Sequence, residues 1–473
     1  MLLLEAGADF VGAELLDASA LAGAAAGHSA NWGLDARLTE SRSITVPRGK
    51  VMGGSSTING GVFVRATPGD FDRWAALGND AWSFAEVLPF LKRLEDDRDF
   101  GDDECHGRGG PMPVTRSAPS EHHRLSQAFL AACADLGFDE EIDKNRPGTA
   151  GYGALPRNIV DGVRVNAAMA YIAPHRDRAN LMIESQVSAR RLVFNDRRAV
   201  GVEVERAGAI ETFTGDEIVL CAGAVMSPYL LLLSGIGPAG QLRHHGITVV
   251  ADLPGVGTHC RDHPQVFLGF EPAQPIPRRV TAGVVEVGLD TVVNGSPVAL
   301  MPYLASMAEL VPGSGASSVE LVIGVLLERA TSAVEIALAS GDPRIPPVLD
   351  YHSLESASDR ANLEAAAEIG LAILESPAMS GLRVRRTEPA IGADLDVWIR
   401  QNITTAVHLC ASAPMGPDSD PLAVVDQYCR VRGVDGLRVV DTSVLPSAPS
   451  RGPACTAVLI SERAAPFFTA TTA

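Results

Sequence analysis

Two short stretches carry residue types that could do chemistry. In Arg48-Gly-Lys-Val-Met-Gly-Gly-Ser-Ser-Thr-Ile-Asn59, Gly53 and Gly54 remove every Cβ where a backbone could press against a ligand. Ser55, Ser56 and Thr57 follow with short hydroxyls suited to a helix start. Free N–H groups in such a turn, with Arg48 and Lys50 adding positive charge upstream, would cradle a phosphate or an electron-rich ring. On spacing alone a glycine-rich surface loop is the commoner reading, because glycine pairs followed by serines are ordinary punctuation. The second stretch is Thr405-Ala-Val-His-Leu-Cys410. An unperturbed imidazole, with a pKa of about 6.5, can take a proton near neutral pH and release it afterwards. A lone histidine in an apolar run is more often a satisfied core residue, so His408 stays open between the two readings.

The elements that must position these residues come from a long chain. At 473 residues it can bury a large core and build two or more domains, and 46% hydrophobic with 20% charged residues is ordinary for a globular protein. A net charge of −18 argues against nucleic acid or an anionic membrane surface as a main partner. Seven scattered cysteines without a C-x-x-C pair point to reduced thiols in the cytoplasm, with no disulfide framework and no zinc or other metal site. No basic n-region precedes Leu2-Leu3-Leu4, so no secretory signal is read there. The uncharged run from Ile218 to Leu242 has the length of a membrane span, yet Gly223, Pro228 and Gly235 interrupt it. It reads as a buried strand over Ile218–Ala222, a turn at Gly223 and a buried helix beginning at Pro228.

Along the chain, Leu2-Leu-Leu-Glu5-Ala-Gly7 resembles the end of a parallel strand with an acid at its carboxyl tip. In a dinucleotide-binding fold that acid holds the adenosine ribose, about 20 residues after a G-x-G-x-x-G turn. No such turn precedes Glu5, and the expectation is that the native protein carries one upstream of Met1. The literal match Gly235-Ile-Gly-Pro-Ala-Gly240 follows a leucine-rich helical run, and Pro238 lacks an N–H, so it is a decoy. Trp82–Glu95 has the apolar spacing of an amphipathic helix entered from Ser83. Leu181–Glu205 reads as a hairpin, Phe267–Tyr303 as antiparallel sheet with one solvated face, and Asn362–Leu374 as a helix.

Five ordered motifs then agree with one family. Arg48-Gly-Lys50 through Gly53-Gly-Ser-Ser56 and Asn59, and Gly223-Ala-Val-Met-Ser-Pro228 with Ser234-Gly-Ile-Gly-Pro238, resemble the two signature segments of the glucose-methanol-choline (GMC) oxidoreductases. Leu253-Pro-Gly-Val-Gly257 with Asp262-His-Pro264, Asp342-Pro343 with Pro346-Pro347 and Tyr351, and Leu437-Arg-Val-Val-Asp441-Thr-Ser-Val-Leu-Pro446 are similar too. Within the family, Ile159-Val-Asp-Gly-Val-Arg164, His106-Gly-Arg-Gly-Gly-Pro111 and Pro449-Ser-Arg-Gly-Pro-Ala454 resemble the mycofactocin-associated branch, which implies electron transfer to a carrier instead of oxygen.

The resemblance implies an α/β fold: a Rossmann-like FAD-binding domain with a discontinuous antiparallel-sheet substrate domain. Residues 1–262 would form the FAD-binding part with interspersed substrate-side segments, 263–402 the substrate part, and 403–473 the return to the FAD-binding part. It implies an alcohol substrate, with hydride passing to flavin N5 and His408 acting as the base. Contacts to FAD would come from Glu5 at the ribose, from Arg48, Gly53, Gly54, Ser55 and Asn59 around the pyrophosphate and ring, from the Val187 backbone at adenine, and from Gly223 and Asp441. Ile58 stands where some relatives attach flavin through histidine, so FAD is expected to be non-covalent. The family's second His or Asn falls at Ala454, whose methyl accepts no hydrogen bond; Ser450, Arg451, Cys455 or Thr456 could substitute, and Arg451 would either stabilise an alkoxide, if it faces the flavin, or only cap a loop. A non-redox flavin-binding lyase, or an inactive FAD-binding remnant, remains the alternative; the electron acceptor is left unassigned.

Overall fold

In a computed structural model of the chain, the structure describes residues 1–9, 12–148, 150–272, 274, 276, 283–310, 320–382 and 385–468. Short apolar strands pair in parallel across long sequence distances. Leu2–Leu4 lies beside Met182–Glu184, and Ile218–Leu220 beside Leu437–Val439. Parallel neighbours need a crossover between them, so each pair pins together segments that only the folded chain makes adjacent. The expected hairpin is present as Ser188–Asn195 against Arg198–Arg206, extended by a third strand, Ala209–Thr214.

The uncharged run forms strand Ile218–Leu220 and helix Gly223–Leu233. Every residue from Ser227 to Leu233 is buried, and a helix apolar all round belongs in a core. Its eleven residues span only about 16 Å. No helix among the described residues is long and apolar enough to cross a membrane. The helix starts at Gly223, earlier than the Pro228 start read from the sequence. Pro228 cannot donate to the Ala224 carbonyl one turn back, which normally breaks a helix. Here the Ser412 hydroxyl donates to that carbonyl at 2.5 Å, so the turn survives. The Gly235–Gly240 segment follows this helix, and its Ile236–Gly237 pairs with Ala251–Asp252.

The larger sheet is antiparallel throughout. Its order is Arg385–Glu388, Pro264–Glu271, Leu321–Leu327, Ser296–Tyr303, Val287–Val293 and Tyr152–Ala154, with Thr404–Thr405 also on Pro264–Glu271. Two of its strands therefore come from outside residues 263–402. Alternation gives the sheet two faces. Val266, Leu268, Phe270, Leu300, Ile323 and Val325 share a core with helix Ala357–Leu374. A Cβ on Gly370 of that helix would lie 2.5 Å from Leu268 Cδ1, so the close approach requires glycine there. The opposite face carries Gln265, Phe267 and Tyr303, the two rings edge to face at 5.5 Å. A second core gathers around Gly223–Leu233 with Trp74, Trp82, Leu91 and Val439. Trp82 precedes the predicted amphipathic helix, which runs Phe84–Leu94 with Val87, Leu91 and Leu94 inward.

Candidate active site

The glycine cradle is built by contact with the first strand. Ala8 bridges Val51, and Met52 N–H donates to the Ala8 carbonyl at 2.9 Å. A Cβ on Gly7 would stand 1.9 Å from the Lys50 carbonyl oxygen, so the backbones touch. Gly53 and Gly54 take φ of 89° and 56°, and nothing lies within 4 Å of where a Gly54 Cβ would be. That surface is open to a ligand. A 3-10 turn, Gly54–Thr57, follows; the Ser56 hydroxyl donates to the Gly53 carbonyl at 2.6 Å and accepts from Ala167 N–H at 3.0 Å. The Ser55 hydroxyl accepts from Gly49 N–H, and Asn59 Oδ1 accepts from Gly61 N–H.

Around this turn the sequence-predicted cofactor residues divide into those with open surface and those that hold the frame. Glu5 Oε1 accepts from Gly7 N–H at 2.7 Å, and burial raises its pKa above the usual carboxylate value. Val187 N–H donates to the Glu5 carbonyl at 2.9 Å, which commits that N–H to joining the strands. Gly223 has φ 81° with open space at its Cβ position, while its N–H donates to Asp441. Asp441 was expected to reach the ligand, but both its oxygens accept from its own chain. Oδ2 takes Gly223 N–H and the Ser227 hydroxyl, and Oδ1 takes Ser443 N–H and hydroxyl. It ties the end of strand Leu437–Val439 to the start of helix Gly223–Leu233. Arg48 also differs from expectation: Nη1 donates to the Val407 and Pro47 carbonyls at 2.9 and 3.2 Å, away from the cradle. It thereby links the cradle segment to the His408 loop. The open surfaces at Gly54 and Gly223 fit a large planar or phosphate-bearing cofactor.

His408 sits on a constrained loop. Val407, a β-branched residue, has φ 64°, a conformation that costs energy and persists only where surroundings impose it. Here Val407 N–H donates to Thr405 Oγ1, and its carbonyl accepts from Arg48. His408 N–H donates to Asp262 Oδ1 at 2.8 Å, His263 N–H to the same oxygen at 2.7 Å, and the Tyr351 hydroxyl to Asp262 Oδ2 at 2.9 Å. One buried carboxylate therefore holds three elements. The two rings meet edge to face at 5.0 Å, Nδ1 to Nδ1 at 2.9 Å, and His263 Nε2 lies 3.0 Å from the Pro449 carbonyl. The Cε1–Nε2 edge of His408 faces Gly452, where a Cβ would come within 3.3–3.4 Å. Burial, then the neighbouring His263 and Arg48, push the His408 pKa well below the imidazole value; burial likewise lowers His263. Both shifts favour the neutral form of the rings.

Arg451 requires a correction. Its guanidinium donates to Glu141 Oε1 at 2.8 Å and to the Lys144 carbonyl, and lies 3.1 Å from Asp290. Lys144 completes the group by pairing with Glu141 and Asp290 at 2.8 and 2.9 Å. A buried guanidinium beside two carboxylates is held by them, and those contacts raise its pKa, so Arg451 braces the wall instead of presenting a charge to an alkoxide. Neighbouring Ser450 is fixed by Asp70, which accepts from its N–H and hydroxyl at 2.9 and 2.7 Å. Ala454 begins helix Ala454–Ala464. The Asp262-His-Pro264 motif carries no local signal of a site role, because the partner of His263 lies 145 residues away at His408.

Among the described residues, Glu95, Asp97 and His106 have metal-ligand proximity. Arg65 pairs with Glu95 and Arg116 with Asp97 and Asp143, while both ring nitrogens of His106 face carboxylates. Those carboxylates outweigh burial and raise His106 to a pKa of about 10.

Two family models described as GMC oxidoreductase match residues 15–265 and 330–461. An uncharacterized GMC-type oxidoreductase of Rhodococcus erythropolis is 41% identical, covering 92% of this chain and 85% of the relative. An oxygen-dependent choline dehydrogenase of Photobacterium profundum is 32% identical over 90% of this chain and 80% of its own. The crystal structure of pyridoxine 4-oxidase from Mesorbium loti superposes with a TM-score of 0.91 at 27% identity, covering 100% and 94% of the two chains.

Proposed function

Because this chain belongs to the GMC oxidoreductases, a family of FAD-dependent enzymes, we propose that it oxidises a small-molecule alcohol with His408 as the base. The observation that carries the reading is the disposition of the His408 ring: Nδ1 is occupied by His263, and the Nε2 edge is turned to Gly452. Burial keeps the ring neutral, as a proton acceptor must be. Glu5, Gly53, Gly54, Ser55, Asn59, the Val187 backbone and Gly223 would hold FAD, with Asp441 and Arg48 bracing the segments that carry them. When bound, FAD supplies the acceptor for the hydride leaving the alcohol carbon. His408 Nε2 takes the hydroxyl proton as the carbon–oxygen double bond forms. Ile58 is buried and apolar, which supports non-covalent FAD. The choline and pyridoxine chemistry named for the relatives supports a CH–OH donor, and the branch-specific phrases around Val160 and Ser450 support a carrier as electron acceptor.

Anaerobic addition of a panel of primary and secondary alcohols to the flavin-loaded protein, followed by absorbance, tests the reading. Bleaching by at least one alcohol, slowed by about 10²–10⁴-fold in His408→Ala, is expected. A flavin that no alcohol bleaches but that dithionite reduces would replace this reading with a non-redox role.

A further inference from the structure

The hydrogen-bond directions around His408 can be assigned from one fixed point. The Pro449 carbonyl can only accept, so the bond at 3.0 Å requires a proton on His263 Nε2. A neutral imidazole carries one ring proton, which leaves His263 Nδ1 as an acceptor. The 2.9 Å contact to His408 Nδ1 then requires the proton on His408 Nδ1, and His408 Nε2 is left bare. That is the tautomer in which the nitrogen facing Gly452 can receive a proton. The opposite tautomer would set two lone pairs against each other at 2.9 Å.

We propose that His263 is a positioning residue that holds His408 in the Nδ1–H tautomer through the chain from the Pro449 carbonyl to His263 to His408, and that it shares the proton His408 gains. The proposal rests on the reading of His408 as the base. When Nε2 gains a proton, His408 carries one on each nitrogen. Moving the Nδ1 proton across to His263 Nδ1 leaves His408 neutral with Nε2–H, and makes His263 the imidazolium. The path stops there, because Pro449 offers only a carbonyl. Asp262 accepts from both backbone N–H groups, and its charge favours a cation on His263. Arg48 opposes it from the cradle segment. Thr405, Tyr351 and Asp262 fix the loop and not the ring proton, so the tautomer has no other determinant among the described contacts.

The test is 15N NMR of histidine-labelled flavin-loaded protein at a pH where both rings are neutral. His408 is expected to show a bare Nε2 and a protonated Nδ1. In His263→Leu the His408 tautomer should lose this preference, and flavin reduction should slow about 10²-fold, within the range of one acid–base contribution. In His263→Asn, whose Oδ1 can accept where Nδ1 accepted, the tautomer should return and most of the rate with it. Protonated Nε2 in the wild-type protein, or an unchanged tautomer in His263→Leu, overturns the proposal. The tautomer is read without any alcohol present, so a correct tautomer alongside flavin that no alcohol bleaches would refute the base reading and not this assignment.

Discussion

Replacing Asp262 by alanine tests whether one carboxylate assembles the site. In the folded chain Asp262 is 4% exposed and accepts three hydrogen bonds, from His263 N–H at 2.7 Å, His408 N–H at 2.8 Å and the Tyr351 hydroxyl at 2.9 Å. A hydrogen bond to a charged group contributes about 1.5–3 kcal/mol, and a buried donor left unpaired costs about 1–3 kcal/mol. Three such donors give an upper sum near 9 kcal/mol, which a water entering the vacated space would reduce, so a loss of about 3–6 kcal/mol is expected. Asp262→Asn retains Oδ1 for both backbone donors, and the Tyr351 hydroxyl can turn to accept from the new amide. It should lose only about 1–2 kcal/mol. Denaturant unfolding of the flavin-loaded proteins, with rapid-mixing measurement of flavin reduction, reads both consequences. Alanine should be far less stable and far slower than asparagine, because it frees the backbones of His263 and His408 together. If Asp262→Ala unfolds within about 0.5 kcal/mol of wild type and reduces flavin at the wild-type rate, the carboxylate does not hold the histidine pair.

His408→Ala should slow flavin reduction by about 10²–10⁴-fold while bound flavin and its spectrum stay near wild type, since the side chain is assigned to proton transfer and not to holding the cofactor. His106, raised to about 10, adds stability that is fully present below the unfolded value of about 6.5 and is lost as pH rises through about 10. Melting temperatures across pH should therefore show His106→Gln most destabilised in acid to neutral solution, with the gap closing above pH about 10. His408, depressed by burial, acts with the opposite sign: its stability is present above about 6.5 and declines below it, so His408→Ala should flatten the acid limb of the melting curve. Ser412→Ala leaves the Ala224 carbonyl unsatisfied inside the Pro228 turn, and urea unfolding should report a loss of about 1–3 kcal/mol.

The amino-acid sequence by itself determined what local sterics and spacing can carry. Adjacent Gly53 and Gly54 marked a turn free of Cβ atoms, and the structure gives both a positive φ, which glycine takes without strain. The Ile218–Leu242 run was legible as strand, turn and core helix, and Trp82–Glu95 as an amphipathic helix, because burial follows periodicity within a few residues. The ordered motifs carried the family. What tertiary structure alone decided is where each polar group finds its partner. Pro228 predicted a helix start, yet Ser412, 188 residues from Ala224, repairs the turn. Arg451 looked free to meet an alkoxide until Glu141, 310 residues away, and Asp290 closed on it. His408 was a candidate base in the sequence, but its tautomer depends on His263 and the Pro449 carbonyl. The physical reason is range. Backbone conformation responds to the residue and its immediate neighbours, whereas a buried charge or ring nitrogen must be satisfied by whatever the fold brings within about 3 Å.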